Sequence, residues 1–165
     1  MRPGDLVVTR WGCRFRGRVF PCSIGRGGFA ANKREGDGAT PLGVHRITGL
    51  LYRADRVAGM PGWAQPIGPR DLWSDDPGDS AYNQPVRAPY PCSAERLRRA
   101  DPLYDMVLLT SWNWPDPQPG RGSAIFLHVW RGPRVPTAGC VALRRDHLRW
   151  IIAHISPGAR VVVRG

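Results

Sequence analysis

The 165 residues include 20 Gly and 17 Pro, which predicts one turn-rich, mainly β domain over residues 1–165 whose core needs no metal or disulfide. The net charge of +11 comes from 24 basic residues, of which only Lys33 is a lysine. This charge either attracts polyanions such as nucleic acid, anionic lipid or an acidic wall polymer, or merely keeps the chain soluble. A membrane span is excluded, because no stretch approaches the required length of about 18 apolar residues. A structural zinc site is disfavoured, because there is no CxxC pair.

The N-terminal third alternates short strands with glycine-rich turns. Two strands are predicted at 5–11 and 14–25, joined near Gly12, because arginines alternate with apolar or small residues in the period-2 pattern of a half-buried strand. A glycine-rich loop follows and ends at Gly43, and a strand is predicted over 43–53. Lys33 in this loop is expected to be solvated. The first twelve residues lack the apolar core of a signal peptide, which leaves open an intracellular protein, a removed leader or another export route.

The rest of the chain predicts a long irregular segment, further strands and two short helices. So long an irregular segment as 54–92 is typical of a functional flap or groove wall. Helices are predicted at 93–100, with Ser93 as N-cap, and at 144–155, with Asp146 as N-cap. Strands are predicted at 103–113, at 122–130 ending at His128, and at 159–165. Tyr104 is expected in the core, and Asn113 is the polar candidate for a site rim.

Cys140 follows His128 by twelve residues, and this pair admits three interpretations. The thiol and imidazole are structural core groups, or metal ligands, or a nucleophile and its base. A metal site is disfavoured, because there is no HxH or HxxxH pair and no acidic residue in position to complete a ligand set. We therefore predict no metal and no cofactor, and we weigh the structural interpretation against the catalytic one.

Three features favour catalysis by Cys140 and His128. Gly139 leaves room for a substrate beside the thiol, and peptide N–H groups near Gly139 and Cys140 could converge on a developing oxyanion. The strand ending at His128 leads through a Gly/Pro-rich loop directly to Cys140. An imidazole and positive charge favour a thiolate. The arginines expected to supply that charge are Arg131, Arg134, Arg144 and Arg145.

Three segments in this order, KREGDGATPLGVHRI, GSAIFLHV and PTAGCVAL, resemble the motifs of the bacterial L,D-transpeptidase family over about Gly25 to Gly158. The resemblance implies a mainly β catalytic domain, a sandwich or barrel, that acts on peptidoglycan stem peptides. Cys140 would attack the amide carbonyl after an L-centre, typically of diaminopimelate, and pass the acyl group to an amine. His128 would be the general base and acid, oriented by a backbone carbonyl, and Gly139 would lie beside the oxyanion hole.

The same resemblance implies a protein of the periplasm or cell envelope. No cofactor is expected, because a thiol acyl-enzyme uses no metal and the sequence has no phosphate loop or dinucleotide fingerprint. We also expect no nucleic-acid partner and a monomer. Two positions depart from the commoner motif: Ala138 replaces a histidine and Ala142 replaces an arginine, whereas Thr137 is kept. The arginine candidates to replace the missing one are Arg131, Arg134 and Arg144. The full set of predicted substrate-binding residues is Thr137, Ala138, Arg131, Arg134, Arg144 and Asn113.

The departures leave the reaction product open. The same cysteine and histidine would serve a transpeptidase that makes 3,3 or 1,3 cross-links, or an L,D-carboxypeptidase or endopeptidase that uses water. An alternative of another class is a non-catalytic basic module that binds a polyanion, although the sequence has no RRM, zinc-finger or helix-turn-helix signature. The remaining cysteines, Cys13, Cys22 and Cys92, either include one disulfide or stay unpaired.

Overall fold

The computed structural model describes residues 2–165 and confirms a mainly β fold. Within these residues there are fifteen strands and one helix, α1 (Arg145–His154). The strands are β1 (Leu6–Thr9), β2 (Gly12–Phe15), β3 (Arg18–Phe20), β4 (Cys22–Ser23), β5 (Phe29–Ala30), β6 (Thr40–Pro41), β7 (Gly43–Tyr52), β8 (Ala64–Pro66), β9 (Asp71–Ser74), β10 (Pro85–Arg87), β11 (Ala94–Arg96), β12 (Met106–Thr110), β13 (Phe126–Val129), β14 (Val141–Leu143) and β15 (Arg160–Val163).

Ten strands form one curved main sheet around β7. Its order is β3-β2-β1-β15-β7-β12-β13-β14-β4, and β8 also pairs with β7. The first half of β7 pairs with β15 and the second half with β12 and β8. Because β2 also approaches β4 near the other end of this order, the sheet curls into a nearly closed barrel. Among residues 2–165, no helix is long and apolar enough to cross a bilayer.

Strands β13 and β14 separate the main core from a second apolar cluster. Leu127 and Val129 of β13 point into the main core, where they pack with buried residues of α1 such as Ile151. Burying each such side chain contributes about 1.5–3 kcal/mol. The alternate residues of β13 point the other way, so Phe126 belongs to the second cluster with Trp73. A functional site on that second face is thus supported by a packed core behind it.

A small three-stranded sheet, β10-β9-β11, stands over the second face. Two of its strands and β8 lie within 54–92, so this segment is more ordered than the irregular flap that the sequence predicts. The helix predicted at 93–100 is wrong, because Ala94–Arg96 forms β11 and pairs antiparallel with β9. Glu95 lies opposite Trp73 in this register. The backbone N–H and C=O groups of this segment bond to β9 instead of to each other, and no local sequence pattern indicates that pairing.

The strand predicted at 14–25 is wrong as one element, because the chain reverses within it. Arg16 and Gly17 have φ of 46° and 77°, as a tight hairpin turn requires, and β3 folds back on β2. The reversal breaks the predicted alternation, so Val19 is 69% exposed and Phe20 is buried.

Helix α1 confirms the amphipathic pattern read from the sequence but not its predicted cap. The N-cap residue is Arg144, and Asp146 lies in the first turn, where its charge faces the positive end of the helix dipole. Its carboxylate pairs with Arg144 at 2.5 Å. Strand β13 also differs slightly from prediction, since it continues one residue beyond His128.

Candidate active site

A cavity of about 540 Å³ opens between the second face of the main sheet and the small sheet. His128 and Cys140 both line it. Its lining also includes five other residues that were assigned from the sequence to the site or its motif, namely Arg131, Thr137, Ala138, Gly139 and Ala142. The predicted pair and its loop therefore share one concave surface.

The strand register explains why the thiol and the imidazole face the same space. Strands β13 and β14 are parallel neighbours, with His128 opposite Ala142. Cys140 lies two residues before Ala142, so side-chain alternation puts it on the same face as His128. A strand spacing of about 4.8 Å and a rise of about 6.6 Å over two residues give a separation on the order of 8 Å between their Cβ atoms. Both side chains line the cavity that lies over this face of the two strands.

Backbone groups hold the Cys140 thiol in place. Its Sγ donates to the Ala124 carbonyl at 3.1 Å and accepts from the Phe126 N–H at 3.4 Å. The Ala124 N–H is in turn bonded to Oδ1 of the buried Asn83 at 3.0 Å. Asn83 was missed by the sequence analysis, because no local sequence signature marks it. Its φ is 56°, a conformation that asparagine tolerates better than most residues.

The His128 ring is oriented by a backbone carbonyl and an aromatic neighbour. Nδ1 lies 2.8 Å from the Val129 carbonyl oxygen. Because a carbonyl only accepts, Nδ1 carries the proton and Nε2 is left as the acceptor. The Tyr104 ring packs edge-on against the imidazole, with centroids 5.2 Å apart. This arrangement suits a general base that needs no aspartate.

Burial keeps both groups neutral when the cavity holds only solvent. It raises the pKa of the Cys140 thiol to about 12, with a further increase from the charge of Glu95, and the Phe126 N–H and Lys33 only partly oppose this. Burial also lowers the pKa of His128 to about 4. At neutral pH the pair is therefore a thiol and an uncharged imidazole.

The prediction that surrounding arginines favour a thiolate is wrong for this state of the protein. Arg134 acts on the Cys22 thiol, whose pKa it lowers against the larger effect of burial. Arg144 and Arg145 are each paired with an aspartate. Of the four, Arg131 lines the cavity, and it is exposed to solvent, which screens its charge. The desolvation that raises the pKa of Cys140 therefore outweighs any lowering of that pKa by the arginines nearby in the sequence.

The segment before the thiol is fixed by two threonines. The Thr137 hydroxyl donates to the Cys140 carbonyl at 2.6 Å and accepts from the Gly139 N–H at 3.1 Å. Thr40 donates to the Gly139 carbonyl at 2.8 Å. Gly139 has φ of 147°, and a Cβ there would lie 2.9 Å from the Ala39 carbonyl oxygen, so only glycine fits. Its N–H is taken by Thr137, which corrects the expectation that it points at an oxyanion.

Three predicted substrate-binding residues lie outside the cavity lining in the described part of the chain: Asn113, Arg134 and Arg144. The Asn113 side chain braces its own loop, accepting from the Gln118 N–H at 2.8 Å and donating to the Gly122 carbonyl at 3.2 Å. The cavity instead contains charged residues that sequence reasoning did not select. These are Arg26, Lys33, Glu35, Asp75, Glu95 and Arg99.

Lys33 contradicts the expectation of a solvated loop. Its side chain is 2% exposed, and Nζ donates at 2.6 Å both to Asp37 and to the Arg34 carbonyl. The Lys-Arg-Glu-Gly-Asp run places the lysine and its aspartate four residues apart, which was a usable signal for this ion pair.

The four cysteines are free thiols, and within residues 2–165 no group of three or more His, Cys, Asp or Glu side chains is arranged to hold a metal ion.

Comparison with known proteins gives one family and two similar structures. Residues 10–163 match the YkuD family, the L,D-transpeptidase catalytic domain. An L,D-transpeptidase from Mycobacterium smegmatis is 15% identical with a TM-score of 0.46, over 98% of this chain and 58% of that chain. L,D-transpeptidase 3 from Mycobacterium tuberculosis is 13% identical with a TM-score of 0.47, over 98% of this chain and 60% of that chain. The chain thus spans about three fifths of either structure. No curated protein matches.

Proposed function

This chain belongs to the L,D-transpeptidase catalytic-domain family, and from that premise we propose that residues 1–165 form one domain that transfers acyl groups between peptidoglycan stem peptides. The observation that carries the proposal is the placement of Cys140 and His128 on one sheet face within one cavity. The protein acts in the periplasm or cell envelope. We also propose that it works as a monomer.

The neutral pair defines the first half-reaction. Nε2 of His128 accepts the thiol proton as Sγ of Cys140 attacks the carbonyl carbon after an L-centre, forming a C–S bond and an oxyanion. When the oxyanion collapses, the C–N bond breaks and the imidazolium gives its proton to the departing amine. A histidine with a pKa of about 4 is a strong acid once protonated, which favours this step.

The second half-reaction reverses these roles. An acceptor amine loses a proton to His128 as its nitrogen attacks the thioester, and the C–S bond breaks to restore the Cys140 thiol. The product is a 3,3 or a 1,3 cross-link, according to which amine enters the cavity. With water as acceptor, the same pair acts as a carboxypeptidase or endopeptidase.

Substrate contacts are assigned by position in the cavity. Arg26 and Arg131 are exposed cavity residues, and we assign them to stem-peptide carboxylates. The geometry favours Arg131 over Arg134 and Arg144 as the replacement for the arginine missing at Ala142. Thr137 and Ala138 form part of the cavity wall beside the nucleophile.

Digestion of purified sacculi tests the function. We expect muropeptide dimers from the wild type and none from Cys140→Ala or His128→Ala, with folding checked by circular dichroism. Cys92→Ala is the matched control and keeps full activity, because Cys92 lies outside the cavity lining in the described residues. The linkage of the dimers, read by mass spectrometry, identifies the cross-link, and trimmed monomers identify hydrolysis. Turnover by Cys140→Ala would refute the proposal.

A further inference from the structure

The half-buried Glu95 and the buried Tyr104 form a hydrogen-bonded pair beside the proposed base. The Tyr104 hydroxyl donates to Oε1 of Glu95 at 2.6 Å, while the edge of its ring meets the His128 imidazole. Tyr104 precedes β12 of the main sheet, and Glu95 lies on β11 of the small sheet. This hydrogen bond therefore joins the two walls of the cavity beside the reactive groups.

The Glu95 charge is only partly compensated. Arg99 lies 3.9 Å from the Glu95 carboxylate and over the Tyr104 ring, but its guanidinium is mainly engaged by Asp101 at 2.7 Å. Burial raises the pKa of Glu95, and Asp75 and Glu35 add to this, against the opposing Tyr104 hydroxyl and Arg99. A carboxylate so placed attracts a further cation.

The other charged groups around Cys140 are either occupied or solvated. Lys33 is bonded to Asp37, and Glu35 accepts from the Tyr82 hydroxyl at 2.5 Å. Arg26 and Arg131 are exposed, so water screens them.

Asp75 completes the acidic side of the cavity, and its Oδ1 is buried without a hydrogen-bond partner among the described atoms. Glu95 lines the same cavity as Cys140, and its negative charge adds to the burial that raises the pKa of the thiol.

We propose that Glu95 is a positioning residue that holds the Cys140 thiol protonated until an ammonium group of the substrate enters the cavity and pairs with the carboxylate. The inference rests on the proposed role of Cys140 as nucleophile. Pairing removes a negative field from the thiol, so the proton passes more readily to His128. A ligand with an ammonium group is thereby activated in preference to one without it.

The test is the rate at which neutral iodoacetamide alkylates Cys140 between pH 7 and 9, followed by peptide mass mapping. Because the thiolate is the reacting form, the rate reports ionisation directly. We expect Glu95→Gln to raise the rate on the order of tenfold at each pH, the effect of one unit charge nearby. Glu35→Gln removes a carboxylate from the same cavity and should change the rate less than twofold. Cys92 serves as the internal reference.

Two further measurements protect the test against misfolding of Glu95→Gln. Tyr104→Phe removes the hydrogen bond to Glu95 but keeps the carboxylate and its charge, so alkylation of Cys140 should stay within about twofold of the wild type. In the wild type, 100 mM propylammonium chloride should raise the Cys140 rate relative to sodium chloride of equal ionic strength, and in Glu95→Gln it should not.

Superimposed profiles for wild type, Glu95→Gln and Tyr104→Phe, with Cys140 reacting in all, would overturn the role of Glu95 and leave the proposed function intact. A propylammonium response that persists in Glu95→Gln would also overturn it. A Cys140 that no condition alkylates would overturn the nucleophile itself, and the role of Glu95 with it.

Discussion

Burial is the main cause that keeps His128 and Cys140 neutral, and the charge of Glu95 adds to its effect on the thiol. Removing an ionisable group from water disfavours its charged form, so the pKa of the acid rises and that of the base falls. The two shifts oppose proton transfer in the empty cavity. In the proposed mechanism the substrate therefore has to promote formation of the thiolate, which would protect Cys140 from unwanted modification.

The lowered pKa of His128 predicts a stability loss at mildly acidic pH. Between the ordinary value of 6.5 and about 4, the unfolded chain binds a proton that the folded chain does not. The contribution is complete above pH 6.5 and is lost as pH falls toward 4, by on the order of 3 kcal/mol. Urea unfolding of wild type and His128→Gln from pH 7 to 4 measures it, because the variant lacks this dependence. Parallel curves for the two proteins would show that His128 is not buried as a neutral ring.

At the scale of elements, Asn83 connects the small sheet to the strand that carries His128. Its Oδ1 accepts from the Trp73 indole at 2.9 Å and from the Ala124 N–H, and its amide donates to the Trp112 and Asn113 carbonyls at 3.2 and 2.7 Å. Since the Ala124 carbonyl accepts a hydrogen bond from the Cys140 thiol, Asn83 helps to fix a residue that holds the thiol in place.

Asn83→Ala is expected to destabilise the protein by about 2–4 kcal/mol, because two buried donors lose their acceptor. Asn83→Asp keeps that acceptor but puts a carboxylate oxygen against the Trp112 and Asn113 carbonyls in place of the amide donor, so it should cost at least as much. Gln84→Ala is the control, since its hydrogen bonds to Pro115 and Trp114 are exposed and its effect should stay within about 0.5 kcal/mol. Denaturant unfolding gives these values. Equal losses at positions 83 and 84 would contradict the connecting role of Asn83.

What the sequence predicted correctly at this scale was local. β7 and α1 have patterns that extend over ten residues each, and the motif segments contain His128 of β13 and Cys140, which directly precedes the parallel strand β14. The prediction of a helix at 93–100 failed because Ser93 and Glu95 satisfy local helix rules while β9, some twenty residues earlier, supplies the pairing. Glu95 and Asn83 also reach the site through pairing between segments that are distant in the sequence. The protonation states of His128 and Cys140 depend on burial, which only the complete fold creates.

At the scale of the whole molecule, the excess of arginine remains on the surface. Acidic residues are largely engaged in ion pairs, among them Asp5 with Arg160 and Asp105 with both Arg56 and Arg145. Arg10 and Arg16, next to and within the β2–β3 hairpin, are exposed. The net charge of +11 therefore produces a positive field over the outside of the protein, separate from the mixed charges in the cavity.

This separation predicts that attachment to the cell wall and catalysis respond differently to salt and mutation. The Cys140→Ala protein should co-sediment with anionic sacculi as well as the wild type does, because the surface charge is unchanged. Both should be released as sodium chloride rises from 0.05 to 0.5 M, since screening shortens the reach of exposed charges from more than 10 Å to a few ångströms, about threefold. Sacculi whose carboxylates are amidated are the control and should retain both proteins poorly even at low salt. Retention that survives 0.5 M salt would mean that contacts in the cavity, rather than the arginine-rich surface, hold this protein to the sacculi.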